Sequence, residues 1–497
     1  MATPIPANSA RFSIDELAVA TRGTVAASTD RPLVGVVTDS RAVTPGCIFV
    51  ALRGAKHDAH DFVPAVIAAG AGALVVSQPV SAPPGVAVVI VPDTLRALGD
   101  LAHAHRRRFP VALVAVTGSV GKTTTKELTA AGLEALGLRV LRSAGNLNNR
   151  IGVPMTLLTL GADDDVAVIE MGMNVPGEIA RLTEIAMPSV GVVTAVAEVH
   201  TEGVGGIEGV AREKGALLLG LGADAAAVFT ADDGILAPYA ERSPARTKLS
   251  FGLAEGSDVR VADVQIALDG TRCIYVVQGL NEFVNAKLAL IGEGPARCGA
   301  AALAAIVALR GADAVPAALE GIQRVAPGEG RARPIHGVGG TVILDDAYNA
   351  SPRSTELALR TCYELARARG GRAIAVLGDM LELGVESERL HESVGEAAVA
   401  SGIALLVCCG PEMRAAARGA LTAGMASGVS GIRIERLDDP TEAISLVRAF
   451  VEPNDVILVK GSRSMRMERV VEGLREVDAF GSTAPGIIAP GSEEAPR

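Results

Sequence analysis

Short β-rich runs alternate with alanine-rich, helix-like stretches along most of the chain. That alternation predicts parallel sheets joined by crossover helices, an α/β fold. Residues 33–37, 48–51, 73–76 and 87–91 read as short strands around one helix at 62–69. A helix-like connector, 94–107, leads to a second block that begins with a strand at 111–116. Further strands are expected there at 165–169 and 190–196, with a helix at 208–219. Runs at 259–264 and 272–277 flank Asp269-Gly270, a hairpin turn signal set inside α/β surroundings. The third block starts near Arg331 and carries strands at 342–344, 373–377, 405–408 and 456–459. The expected domains are 1–93, 94–330 and 331–480, followed by a Pro/Gly/Ser-rich tail, 481–497, expected to lack order. A prior of roughly 100–200 residues per domain agrees with about three.

Composition sharpens this picture in two places. Hydrophobic residues make up 49% of the 497 and aromatics only 3%, with no Trp, so the core must be built from Ala, Val, Leu and Ile. The formal net charge of −10 argues against a nucleic-acid partner, because a phosphate backbone is bound by a basic stripe. An anionic substrate must therefore be held by local lysines and arginines against the global field. The six cysteines show neither CxxC pairs nor zinc spacing; Cys408 and Cys409 read as buried strand residues, and a reducing cytoplasm is the expected compartment. Residues 1–14 do not read as a secretory signal. The long uncharged stretch 62–92 is broken by Gln78, Pro79, Pro83 and Pro84, and reads as helix, strand and loop rather than a membrane span.

Ligands of open parallel sheets bind outside the carboxyl ends of the strands, so reactive residues there carry most weight. The strand 111–116 runs into Thr117, Gly118, Ser119, Val120, Gly121, Lys122, Thr123, Thr124 and Thr125, and then into a helix. Backbone N–H groups of such a loop can wrap phosphate oxygens while the helix N-terminus adds partial positive charge. Lys122 suits the β/γ phosphates of ATP, and the Thr123 hydroxyl suits Mg2+. The strict GxxxxGK[ST] pattern requires Gly at 116, where this chain has Val116. The strand 165–169 ends at Glu170, a carboxylate placed to hold Mg2+ beside those phosphates. Taken singly, Glu170 reads as a solvated or capping residue, His200 as structural and Lys214 as a surface lysine.

Taken together they form a succession. TGSVGKTTTK at 117–126, GNLNNRIGVP at 145–154, IEMGM at 169–173, HTEG at 200–203 and AREKG at 211–215 occur in one order. That order resembles the Mur ligases, the amide-forming enzymes of peptidoglycan precursor synthesis, whose loop is TGxxGKT without the earlier glycine. LDDAYNASP at 344–352, VLGDMLELG at 376–384 and LVKGSR at 458–463 resemble the branch that adds D-alanyl-D-alanine. TDSR at 38–41, FVALRG at 49–54 and DAHDF at 58–62 are similar to the family's uridine-nucleotide domain. The resemblance covers residues 33 to 470.

It implies a three-domain architecture with a central P-loop parallel-sheet domain and a Rossmann-like C-terminal domain. It implies a cytoplasmic, monomeric ligase that activates UDP-N-acetylmuramoyl-tripeptide with ATP as an acyl phosphate and joins it to D-alanyl-D-alanine. Implied cofactors are ATP, two Mg2+ ions and CO2 bound as a lysine carbamate. In the same terms Lys122 meets the β/γ phosphates, Thr123 and Glu170 hold one Mg2+, and His200 and carbamylated Lys214 hold the second. Arg331 and Asp346 contact the nucleotide on domain closure, Asp346 through ribose hydroxyls. Asn349, Lys460 and Arg463 are candidates for dipeptide binding or closure, and Ser40, Arg41 and Asn148 for the uridine-nucleotide substrate. His391 reads as a surface or structural residue.

Three departures stand out. Alignment by the Ala-rich helix puts Pro295 and Gly299 where the family carries the His and Asn of its adenine pocket. Ala195 replaces an Asn before His200, and Ala59 replaces the Gly of an Asp-Gly-His pattern. Base recognition is therefore expected to change before the chemistry does. A related ligase with another acceptor, of the diaminopimelate-adding or folylpolyglutamate type, and a catalytically silent nucleotide-binding paralogue remain as alternatives.

Overall fold

The computed structural model describes residues 3–54, 57–198, 205–427 and 431–476. Among the described residues three large sheets follow one another along the chain, with one two-stranded ribbon beside the first. The first has five strands in the order Thr24–Ala27, Ala87–Ile90, Ala73–Val76, Ile48–Val50 and Val36–Val37, parallel except for Thr24–Ala27. The single strand expected at 33–37 is broken at Gly35, whose φ of +87° turns the backbone. Leu33–Val34 pairs instead with Arg11–Phe12, in a small antiparallel ribbon.

The connector is the helix Thr94–Arg106, capped by Asp93, whose carboxylate accepts from Leu95 N and Arg96 N. Its buried face packs on helices Gly152–Leu157 and Glu178–Ala186, so the first and second blocks share one continuous core. Arg106 is buried there and donates to the carbonyls of Ala186, Phe109 and Val111, at 3.1, 2.6 and 2.7 Å. It thereby anchors the segment leading into the phosphate-loop strand.

His105 lies beside Arg106. Its Nε2 donates to Leu160 O at 2.9 Å, while its buried Nδ1 has no partner among the described residues. Burial holds its pKa below the ordinary histidine value, with the charge of Arg108 acting in the same direction. The unfolded chain therefore protonates first as pH falls. Stability is full above about pH 6.5 and is lost as pH drops from there towards the folded-state pKa. His105→Gln, which keeps a donor for Leu160, is expected to flatten the fall in thermal midpoint between pH 7.5 and 5.5. An unchanged slope would contradict this assignment.

The second sheet has nine strands. From one edge they run Val140–Arg142, Val166–Glu170, Ala112–Thr117, Val190–Val193, Ala226–Thr230, Thr247–Gly252 and Val259–Ala267, all parallel. Gly270–Val277 pairs antiparallel with Val259–Ala267 through the expected hairpin, and Val284–Leu288 adds a third antiparallel strand that the hydrophobic pattern did not reveal. The chain's first strand of this sheet, Ala112–Thr117, lies between later ones, so the strand order reverses beside it. That is where an open α/β sheet leaves a crevice. The third sheet runs Arg333–Gly337, Thr341–Asp346, Val456–Lys460, Ala373–Gly378, Leu405–Cys409 and Arg433–Leu437, parallel except for the first strand. The charged edge strand Arg433–Leu437 was hidden from a hydrophobic reading by its three charged side chains.

All six cysteines are buried and free, with Cys408 and Cys409 in a strand as expected. Among the described residues no helix is long and apolar enough to cross a membrane. The tail 481–497 lies outside the described residues.

Candidate active site

Register in the second sheet brings the expected residues together. Glu170 stands opposite Val116, and Val193 opposite Thr117, so three strands end at one level. The loop then turns at Gly118, φ +144°, and Gly121, φ +87°, before the helix Lys122–Ala135. A Cβ on Gly118 would lie 2.0 Å from Thr194 Oγ1, so only glycine fits between the loop and the neighbouring strand end. The Thr194 hydroxyl donates to Val120 O at 2.6 Å, and Ser119 N donates to Ala195 O at 2.7 Å. The second contact is made by backbone, so replacing the family's Asn with Ala195 leaves the loop's attachment intact.

Lys122 is half-buried within the loop, and its Nζ donates to Gly118 O at 2.8 Å and Ser119 O at 3.3 Å. Desolvation lowers its pKa; the Glu170 carboxylate opposes this, and the Arg331 charge adds to it. Glu170 is buried at the strand end, where Asn148 Nδ2 donates to its Oε1 at 2.8 Å. Its Oε2 is buried with no partner among the described residues. Asn148 thus sits beside Glu170 and lines the cleft. Glu170 N donates to Ser143 Oγ at 3.1 Å, and the fully buried Lys126 donates to Ser143 O at 2.7 Å. Lys126 and Ser143 were not singled out from the sequence. The one available signal was the second lysine, one helical turn after Lys122.

Lys214, on the helix Gly206–Leu219, is 2% exposed. No described residue accepts a hydrogen bond from it. Burial first, then repulsion from Lys122, pushes its pKa well below the ordinary lysine value, against the pull of Glu213, Glu170 and Glu178. His200 lies outside the described residues. Among the described residues no cluster of three His, Cys, Asp or Glu side chains forms a ready metal cage. The donors present still fit a hard divalent cation, because Glu170 Oε2 is a buried carboxylate oxygen left without a partner beside the phosphate loop.

The third block faces this loop across a cleft of about 1200 Å³. Arg331 reaches over it, with Nη2 donating to Thr123 Oγ1 at 3.3 Å, and Arg389 pairs with Glu198 at 2.9 Å. Asp346 and Lys460 are register partners at the carboxyl ends of adjacent parallel strands. Lys460 Nζ donates to Asp346 Oδ2 at 2.6 Å and to Asn349 O at 2.9 Å, so the buried lysine braces Asp346 and the turn that follows. Arg463 is exposed and lies 5.7 Å from the Tyr348 ring. A second chamber of about 700 Å³ runs along the outer side of the helix Lys122–Ala135, and both cavities share Thr123, Thr124, Ile291, Pro295 and Arg331.

On the helix Glu293–Arg310 the two positions singled out from the sequence face different ways. Pro295 lines the cleft, but Gly299 faces the sheet, where a Cβ would lie 2.1 Å from the Tyr275 hydroxyl. Arg297 and Cys298 line the cleft instead. Each step along a helix turns a side chain by about 100°, so an offset of one residue exchanges core for cleft. Arg297 is tied to Asp232 at 2.6 Å and to Glu293 at 2.7 Å. The buried Cys298 thiol is pushed up to about 11 by desolvation and points at Gly121 O.

Ser40 and Arg41 do not line the cleft. They lie in a one-turn 3-10 helix on the first block, where Arg41 grips Asp39 at 2.6 Å and lowers that carboxyl to about 2. Ala59 opens the 3-10 turn Ala59–Phe62, and Asp58 still meets His60 Nδ1 at 2.5 Å. Of the two readings of His391, surface or structural, the structure shows the second: it is fully buried, its Nδ1 donates to Ser387 O and its Nε2 accepts from Met380 N, fastening the 376–384 motif to the next helix.

Sheet order, phosphate loop and the facing third block define a P-loop enzyme of several α/β domains. The chain matches the Mur ligase family catalytic domain over residues 32–106, the Mur ligase middle domain over 116–308 and the Mur ligase glutamate ligase domain over 330–463. It is 40% identical over 452 residues to the UDP-N-acetylmuramoyl-tripeptide–D-alanyl-D-alanine ligase of Escherichia coli K12, covering 90% of this chain and 95% of that one. The fold is similar to that of MurF from Acinetobacter baumannii, with TM-score 0.84, 28% identity, and 94% and 99% of the two chains covered. It is also similar to Thermotoga maritima MurF ligase in complex with ADP, with TM-score 0.77, 28% identity, and 88% and 96% covered. The protein belongs to the Mur ligase family.

Proposed function

We propose that the enzyme joins D-alanyl-D-alanine to UDP-N-acetylmuramoyl-tripeptide at the expense of ATP, in peptidoglycan precursor synthesis. A carboxylate oxygen of the tripeptide attacks the γ-phosphorus, ADP leaves, and an acyl phosphate results. The dipeptide amine then attacks the acyl carbon, inorganic phosphate departs, and the amine loses its proton. Phosphorylation is needed because a carboxylate offers no leaving group of its own. The observation carrying this reading is the single cleft in which Lys122, Glu170 and Lys214 of the second block face Arg331, Asp346 and Lys460 of the third.

Placement in the cleft and the likeness to the Mur ligases support the following roles. The loop Thr117–Thr124 and Lys122 bind the phosphates, with Lys122 offsetting charge where two anions must meet. Thr123 and Glu170 would hold Mg2+, and Asn148 orients Glu170. Mg2+ bound there would neutralise part of the β/γ charge. Lys214, as a carbamate, and His200 would serve a second ion. Arg331 approaches the phosphates and Asp346 the ribose, while the base lies near Pro295, where the two cavities meet. Lys460 braces Asp346 and Asn349, leaving Arg463 and Asn349 for the acceptor side. Ser40 and Arg41 stay assigned to the uridine-nucleotide end, on residues 1–93; residues 94–330 bind ATP, and 331–480 close on it.

The test is phosphate release from ATP with UDP-N-acetylmuramoyl-tripeptide, with and without D-alanyl-D-alanine. Dipeptide-dependent release is expected. Release indifferent to the dipeptide would refute the assignment, and binding without turnover would favour a silent nucleotide-binding protein.

A further inference from the structure

Arg331 crosses from the third block to the phosphate loop on a single described hydrogen bond, to Thr123 Oγ1 at 3.3 Å. One contact of that length does not fix a long side chain with several rotatable bonds. No described carboxylate forms an ion pair with it. Its guanidinium carbon instead lies 4.3 Å from the centroid of the Tyr348 ring. We propose that Tyr348 is a positioning residue for phosphoryl transfer, holding the Arg331 guanidinium over the phosphate loop by its aromatic face.

The chemistry favours an aromatic holder over an acidic one. A carboxylate would fix the guanidinium by engaging its N–H edge and offsetting its charge. The face of a tyrosine attracts the cation through the ring quadrupole and leaves the N–H edge and the charge for phosphate. The backbone sets the pair up. Gly330 adopts φ +67°, and a Cβ there would lie 2.7 Å from Tyr348 N, so the segment before Arg331 packs directly against the turn carrying the ring. Tyr348 N donates to Gly330 O at 3.1 Å, and Ala332 N donates to Asp346 Oδ1 at 3.1 Å, bracketing Arg331 on both sides. The Arg331 charge is also felt at Lys122, as its loop position requires.

The experiment compares Tyr348→Phe with Tyr348→Leu in the full chain, reading ATP affinity by calorimetry and then kcat and KM for each substrate. The phenylalanine variant keeps the ring and is expected within about two-fold of the parent. The leucine variant is expected to lose about ten-fold in kcat/KM for ATP, with unchanged acceptor KM and a thermal midpoint matching that of Tyr348→Phe. Adding Tyr348→Leu to Arg331→Ala should cost nothing further, because the ring acts through Arg331. Equal ATP parameters for the leucine and phenylalanine variants, or additive losses in the double variant, would overturn the proposal. The proposal rests on ATP use alone. The affinity measurement needs no acceptor, so its outcome is separate from that of the dipeptide assignment.

Discussion

Lys214→Ala is expected to reduce ligase turnover by about 10²–10³-fold, and a short carboxylic acid such as acetate should restore part of it. A lysine that is 2% exposed, with its pKa driven well below the ordinary lysine value by burial and by Lys122, presents far more neutral amine than a surface lysine does. Only the neutral form can attack CO2; its nitrogen bonds to the carbon, a proton leaves to water, and a carbamate anion results. The repulsion that Lys122 exerts on a protonated Lys214 then becomes attraction between Lys122 and an anion. Lys214→Arg should be as inactive as the alanine variant and refractory to acetate, because guanidinium keeps its charge and fills the space. The pH sign follows from the lowered pKa: activity is retained while the amine is neutral and falls as pH drops towards that value. Parent-like turnover in Lys214→Ala, with no benefit from acetate, would exclude the carbamate.

Lys122→Ala should be at least as damaging to turnover, about 10³-fold, while leaving the protein no less stable. Lys122 pairs with two backbone carbonyls and no side chain, and burial disfavours its charge. Removing it relieves that desolvation, so the thermal midpoint without nucleotide should stay level or rise, even as phosphoryl transfer collapses. Lys122→Arg should not recover turnover, because a planar fork does not occupy the position of a compact ammonium between Gly118 O and Ser119 O. A stability loss matching the activity loss would instead make Lys122 a structural residue.

Most of the architecture was legible in the sequence, because its signals are local. Short β-rich runs, the Asp269-Gly270 turn and the glycine loop each act over a few residues. Strands escaped where locality failed: Arg433–Leu437 is charged, and 33–37 looks continuous until the φ of Gly35 breaks it. His391 read as surface or structural, and the fold decided for the structural role. Its helix is charged along the chain, but only the tertiary fold decides which face is turned inwards.

The sequence by itself determined the phosphate loop, the order of the family motifs and the expectation of an ATP-dependent ligase, since loop, motif order and residue type are written in one dimension. The tertiary structure decided which of those residues meet. Parallel register set Glu170 beside the loop and Lys460 against Asp346, and the fold gave Asn148, a candidate substrate contact, the Glu170 carboxylate as a hydrogen-bond partner. It rotated Gly299 into the core and Cys298 to the cleft, a difference of one residue in helical phase. It also buried Lys214, whose chemistry comes from desolvation. Burial and register are sums over contacts between distant segments, and no stretch of sequence contains them alone.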